Sequence, residues 1–96
     1  MRIARVIGSA VSTIKADSLR GTKLLIVQAV TADNELYGDA FVAVDAVGAG
    51  EGEVVLIAEG SAGRYTDQTN SAPVDAVIMA IVDSLEVNGS AAFRKN

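Results

Sequence analysis

Apolar residues in this chain gather into short runs separated by glycine, asparagine and aspartate, a spacing that predicts strands rather than long helices. Residues 2–14, RIARVIGSAVSTI, are rich in β-branched side chains and contain no proline. Their alternation is imperfect: Ile3, Ile7 and Val11 fall on one face, Ala4, Val6 and Ala10 on the other. Apolar residues on both faces predict a strand covered on both sides, and Gly8 in its middle predicts a bulge. The polar stretch KADSLRGTK follows, with a turn at Arg20-Gly21. LLIVQAV (24–30), AFVAVDAV (40–47) and EVVLIAEG (53–60) predict the second, third and fourth strands. ADNELYGD joins the second to the third, and GAGEG (48–52) stands between the third and the fourth.

Residues 61–73, SAGRYTDQTNSAP, lack apolar periodicity and predict a surface loop with one helical turn near Ser61 to Arg64. Val74 to Val87 reads two ways. Val74, Val77, Ile78, Ile81, Val82 and Leu85 match helical spacing, yet the wealth of valine and isoleucine favours a strand. The expectation is a short helical turn over 73–76, a strand over 77–85, then a turn at Asn88-Gly89 and a terminal arm. Five or six strands with glycine-rich turns make an all-β chain, folded as a small barrel.

Composition adds a constraint. The chain has 96 residues, half of them hydrophobic, and a positive mean hydropathy of +0.34. A domain this small hides only roughly 60–65% of the surface its unfolded chain exposes. Apolar surface is therefore left over, to be covered by a membrane or by further copies of the chain. No run approaches the roughly 20 residues that span a bilayer, since charges and glycines interrupt each candidate. Arg5 inside the first apolar segment also argues against a secretion signal. With no cysteine and no signal, the expected location is the cytoplasm, and self-association is the expected cover.

Net charge is −4, unevenly spread. Residues 1–23 carry five bases against Asp17, whereas Leu24 to Phe93 carry eleven acids and one base, Arg64. One reading pairs a basic first strand with acidic neighbours inside the fold. The other docks unlike faces of neighbouring copies head to tail, which generates rings.

The chemistry of catalysis is sparse. A dinucleotide fingerprint needs G-x-G-x-x-G leading into a helix; here the third glycine position holds Glu53 and a strand follows. Glu51 and Glu53 would repel a phosphate, so GAGEG reads as a corner. Histidine and cysteine are absent, which removes the commonest general base, the thiol nucleophile and the softer metal ligands. No catalytic, cofactor-binding or metal-binding residue is assigned, and no enzyme activity is expected. Asp45 and Asp83 lie in apolar segments where an acid needs a partner, and Arg64 is the natural one. Small barrels also bind oligonucleotides, but four aromatic residues and an acidic pI near 4.5 argue against a basic, base-stacking groove.

Several motifs in combination resemble one family. They are S-T-x-K at Ser12–Lys15, L-x-G-x-K-L at Leu19–Leu24 and V-D-A-V-G-A-G-x-G-E at Val44–Glu53. G-S-A-G-R at Gly60–Arg64 and P-V-D-A with I-V-D complete the set. From Met1 to about Ser84 the chain resembles the EutN/CcmL family of bacterial microcompartment vertex proteins. Gly63 departs from the pattern, where alanine or another small residue is expected.

The resemblance implies an OB-like five-stranded barrel over residues 1–84 with a C-terminal arm over 85–96. It implies a homopentamer, pairing weakly into decamers, that caps the vertices of a polyhedral shell tiled with hexameric shell proteins. Such a protein needs no cofactor, nucleic acid or membrane. The unbroken STIKADSLRGTKLLIVQ and the tail LEVNGSAAFRKN look most like the β-carboxysome members, serving carbon dioxide fixation in a cytoplasmic shell; the alternative is a catabolic compartment of the ethanolamine or propanediol type. By position, Lys15, Asp45, Arg64 and Asp83 are candidate subunit contacts. Gly48, Ala49, Gly50, Glu51 and Gly52 are the candidate loop at the five-fold axis.

Overall fold

A computed structural model of the chain describes residues 1–11, 21–60 and 76–95. Seven strands run in order: β1 (Arg2–Ala10), β2 (Lys23–Ala29), β3 (Phe41–Asp45), β4 (Val54–Glu59), β5 (Ala76–Ile81), β6 (Ser84–Val87) and β7 (Ser90–Arg94). The first five close a barrel in the order β1-β2-β3-β5-β4, and β4 returns to β1. Closure leaves no continuous sheet edge, which suits a chain with so much β-forming apolar sequence. This is the small barrel that the apolar runs predict, with the five strands that the family resemblance implies.

Period-two alternation decides what goes inside. Ala4 and Val6 of β1, Leu25 and Val27 of β2, Ala43 of β3, Val55 and Ile57 of β4 and Ile78 of β5 meet in one core. Ile57 and Ile78 are fully buried, and burying such a side chain contributes roughly 1.5–3 kcal/mol. The predicted bulge in β1 is present. Pairing with β2 runs Val6↔Val27 and then Gly8↔Ile26, so one extra residue on β1, Ile7, has no partner.

Two expectations need correction. The single strand over 77–85 is instead two strands: β5 ends at Ile81, the N–H of Val82 donates to the carbonyl of Val54 (2.8 Å), and the chain bends at Asp83. Ala76, assigned to a helical turn, begins β5 instead. The terminal arm is a hairpin: β6 pairs β7 with Val87↔Ser90 flanking the turn. Asn88 (φ 53°) and Gly89 (φ 81°) supply the two positive φ angles that a tight two-residue hairpin demands. The helical turn at Ser61–Arg64, the departure at Gly63, and Lys15 and Arg64 all lie outside the described residues.

Among the described residues, no helix is long and apolar enough to cross a membrane.

Candidate functional site

The GAGEG corner is built around three side chains. Asp45 ends β3 and is buried, at 6% exposure. Its Oδ1 accepts the N–H groups of Val47 and Gly48, each at 3.0 Å, which folds the chain back on itself directly after the strand. Ala49 then points into the core with no exposed surface, while Lys23 Nζ donates to its carbonyl at 3.1 Å. Glu53 closes the corner, its Oε1 accepting the N–H of Gly50 at 2.6 Å. The outgoing chain joins β1: Gly52 N–H donates to the Val6 carbonyl (2.8 Å) and Val6 N–H to the Glu53 carbonyl (2.9 Å).

A phosphate cradle needs free N–H groups aimed at one point. Here the N–H groups of Val47, Gly48 and Gly50 already donate to carboxylates, and that of Gly52 to a carbonyl. The corner is a structural device, as the sequence implies. Its glycines differ in their reasons. Gly48 (φ 78°) and Gly52 (φ 89°) occupy the left-handed region that favours glycine, whereas Gly50 does not.

Lys95, beyond the last strand, reaches the same corner. Its Nζ lies 2.7 Å from Glu53 Oε2, and its N–H donates to the Asp83 carbonyl at 2.7 Å. The hydrogen bond from Lys95, followed by that from the Gly50 N–H, holds the Glu53 carboxyl below the ordinary range. Glu53 in turn raises Lys95. This clamp is not legible in the sequence, because nothing in the local pattern joins residues 42 positions apart.

The candidate contacts fare differently. Asp45 is buried as expected, but local backbone groups satisfy it. Asp83 is exposed, at the bend between β5 and β6, rather than inside an apolar strand. Within the corner, Gly48, Glu51 and Gly52 are exposed, while the burial of Ala49 removes its side chain from any axis-lining role.

Among the described residues of the basic end, Arg2 finds an acidic partner within the fold. Arg2 on β1 pairs with Glu59 on neighbouring β4, Nε to Oε1 at 2.5 Å, and lies 4.6 Å above the Phe41 ring. Arg5 binds the Asn34 side chain. The first of the two charge readings therefore accounts for Arg2. Phe41 is occupied by an arginine, and Tyr37 is half-exposed in the β2–β3 connection. Neither makes a basic, base-stacking groove.

What remains unexplained is apolar. Val42 (49% exposed) and Ile7 (39%) stand on the outside of the closed barrel, and Val47 (40%) on the corner after β3. Apolar side chains left exposed in this way suit contact with further chains.

Comparison with known proteins agrees with this reading. Residues 1–83 match the family described as ethanolamine utilisation protein EutN/carboxysome. The chain is similar to the solved structure of CcmL from Nostoc sp. PCC 7120, with 45% identity over 99% of this chain and 100% of that one, at a TM-score of 0.92. It is 48% identical to the bacterial microcompartment shell vertex protein PduN of Salmonella typhimurium, over 88% of this chain and 98% of PduN. The pentameric microcompartment shell protein GrpN from Rhodospirillum rubrum is 45% identical, covering 91% of this chain and 99% of its own, with a TM-score of 0.82. The chain belongs to the EutN/CcmL family.

Proposed function

We propose that this protein is a structural shell component that closes into a homopentamer and caps the vertices of a polyhedral bacterial microcompartment. The observation that carries the reading is a closed barrel with apolar side chains on its outer wall, in a chain 45% identical to a pentameric shell protein. A sheet of six-fold units is flat, and five-fold units give it corners. The natural partners are therefore hexameric shell proteins, and in this reading the corner, with Glu51 exposed, faces the five-fold axis. The role is non-enzymatic. The 45% identity to CcmL over nearly the whole chain favours a carboxysome shell in the bacterial cytoplasm.

The 48% identity to PduN supports a second reading, a catabolic compartment. Co-expression with hexameric shell proteins of each type tests both. Electron microscopy should show closed polyhedra with carboxysome hexamers, and open or elongated shells when this chain is omitted. Closure only with the catabolic hexamers would reverse the compartment assignment, and no effect on closure with either would remove the vertex role.

A further inference from the structure

A head-to-tail ring needs two unlike faces on each copy, one to give and one to receive. Strand register places two apolar rows on the outer wall of this barrel. The first crosses β1, β2 and β3 as Gly8, Ile26 and Val42. Leu25, Val27 and Ala43 face the core, so their neighbours Ile26 and Val42 face outward. The second row crosses β1, β4 and β5 as Ile3, Leu56 and Ala80. Ala4, Val55 and Ile57 are core residues, so Ile3 and Leu56 also face outward, each only partly buried. The rows flank β1 on opposite sides, near its two ends, and so face different directions.

Gly8 gives the first row its shape. Its φ lies outside the left-handed region, and a Cβ added there would meet nothing nearer than Ile26 Cδ1 at 3.8 Å, an ordinary contact. The barrel itself has room for a side chain. A glycine that its own chain does not require leaves bare backbone, a saddle between Ile7 and Ile26, where another chain can approach closely. Ile7, carried outward by the bulge, is one rim and Ile26 the other, with half-exposed Val42 one strand beyond Ile26.

We propose that these two rows are the two sides of the subunit seam: the Gly8 saddle of one copy receives Leu56 of the next. The occupant is a second copy of this chain, because the pentameric relative is alike over almost its whole length and the two rows are unlike. The inference rests on the pentamer proposed above. It gives Gly8 a role in assembly, where the bulge alone would accept alanine.

The chain has no cysteine, so introduced thiols report cleanly. Gly8→Cys and Leu56→Cys, placed together in one chain and treated with a short bis-maleimide, should give a covalent ladder that ends at five copies. Each single variant should stay uncross-linked, since like positions do not meet across a head-to-tail seam. In parallel, Gly8→Val and Val42→Asp should keep the barrel's circular dichroism while weakening the ring by roughly tenfold or more in concentration. A double variant that is pentameric by native mass spectrometry but forms no ladder would overturn the seam. So would Gly8→Val and Val42→Asp rings as stable as the wild type. A wild-type chain that stays monomeric removes the pentamer itself, whereas an intact pentamer with no ladder removes only this seam.

Discussion

Lys95 closes on Glu53 across 42 residues of sequence, Nζ to Oε2 at 2.7 Å, and so ties the end of the terminal hairpin to the corner between β3 and β4. Glu53 uses its other oxygen on the Gly50 N–H. One carboxylate thus holds both the corner and the tail.

That clamp has a pH window. The Glu53 carboxyl is lowered by Lys95 first and the Gly50 N–H second, so its contribution is present above the unfolded value of about 4.3 and fades as pH falls through the folded one. Lys95 is raised, so its contribution is complete below about 10.4 and fades as pH climbs through its folded value. Both side chains are partly exposed, so the effect is small and screened by salt. Amide exchange at Gly50, taken relative to the intrinsic rate at each pH, should quicken on acidification toward pH of about 3 in the wild type. In Lys95→Met it should already be faster near neutral pH; equal rates in both proteins would show that the clamp does not hold the corner.

Asp45 sets the start of the corner. Asp45→Ala strips the acceptor from the N–H groups of Val47 and Gly48 and should cost about 1–3 kcal/mol. Asp45→Asn keeps an acceptor oxygen and should lose less. Urea midpoints at one fixed protein concentration give the comparison, because assembly itself shifts apparent stability. If the two variants are equally stable, the turn is set by something other than this side chain.

The glycines of the corner should separate by backbone angle rather than by position. Gly52→Ala forces a side chain into φ 89° and should destabilise by about 1 kcal/mol or more. Gly50 sits at an ordinary φ, with Glu53 Oε1 3.4 Å from an added Cβ, so Gly50→Ala should be milder. Thermal unfolding of the two variants side by side would show whether that order holds.

Ile57, wholly buried on β4, anchors the core. Ile57→Ala should cost about 2–5 kcal/mol and lose folded protein outright. This distinguishes it from seam variants, which should dissociate with the barrel intact. A well-folded, fully assembled Ile57→Ala protein would contradict the packing described.

The sequence carried the barrel well and the tail poorly, for physical reasons. β2 and β4 were legible because strand formers run unbroken between turn residues, and Gly8 marked the bulge because a glycine inside such a run has few other uses. The break at Val82–Asp83 was hidden. Leu85 is apolar because it pairs with Phe93 in the terminal hairpin, so hydrophobic spacing continues while the partner changes from β4 to β7. Burial of Ala49 was equally hidden, since a lone alanine among glycines looks like loop filler. Asp45 stands out in the sequence as a special acid but its partners do not: a distant arginine is the natural expectation, whereas the two N–H groups that follow it satisfy it. The outward rows depend on register across strands, which single-strand periodicity does not give.

The same outer wall bears on nucleic acid. Arg2 is engaged by Glu59 and Phe41, Arg5 by Asn34, and Lys95 by Glu53. Polarisation titrations with single-stranded DNA or RNA at low salt should therefore stay flat. Micromolar binding that weakens as salt rises would restore the oligonucleotide-binding alternative.

Assembly into a five-fold ring is the central claim, and native mass spectrometry of the wild-type chain at micromolar concentration tests it most directly. The account predicts a dominant species of five copies, with a minor one of ten. A dominant monomer, dimer or hexamer would contradict it.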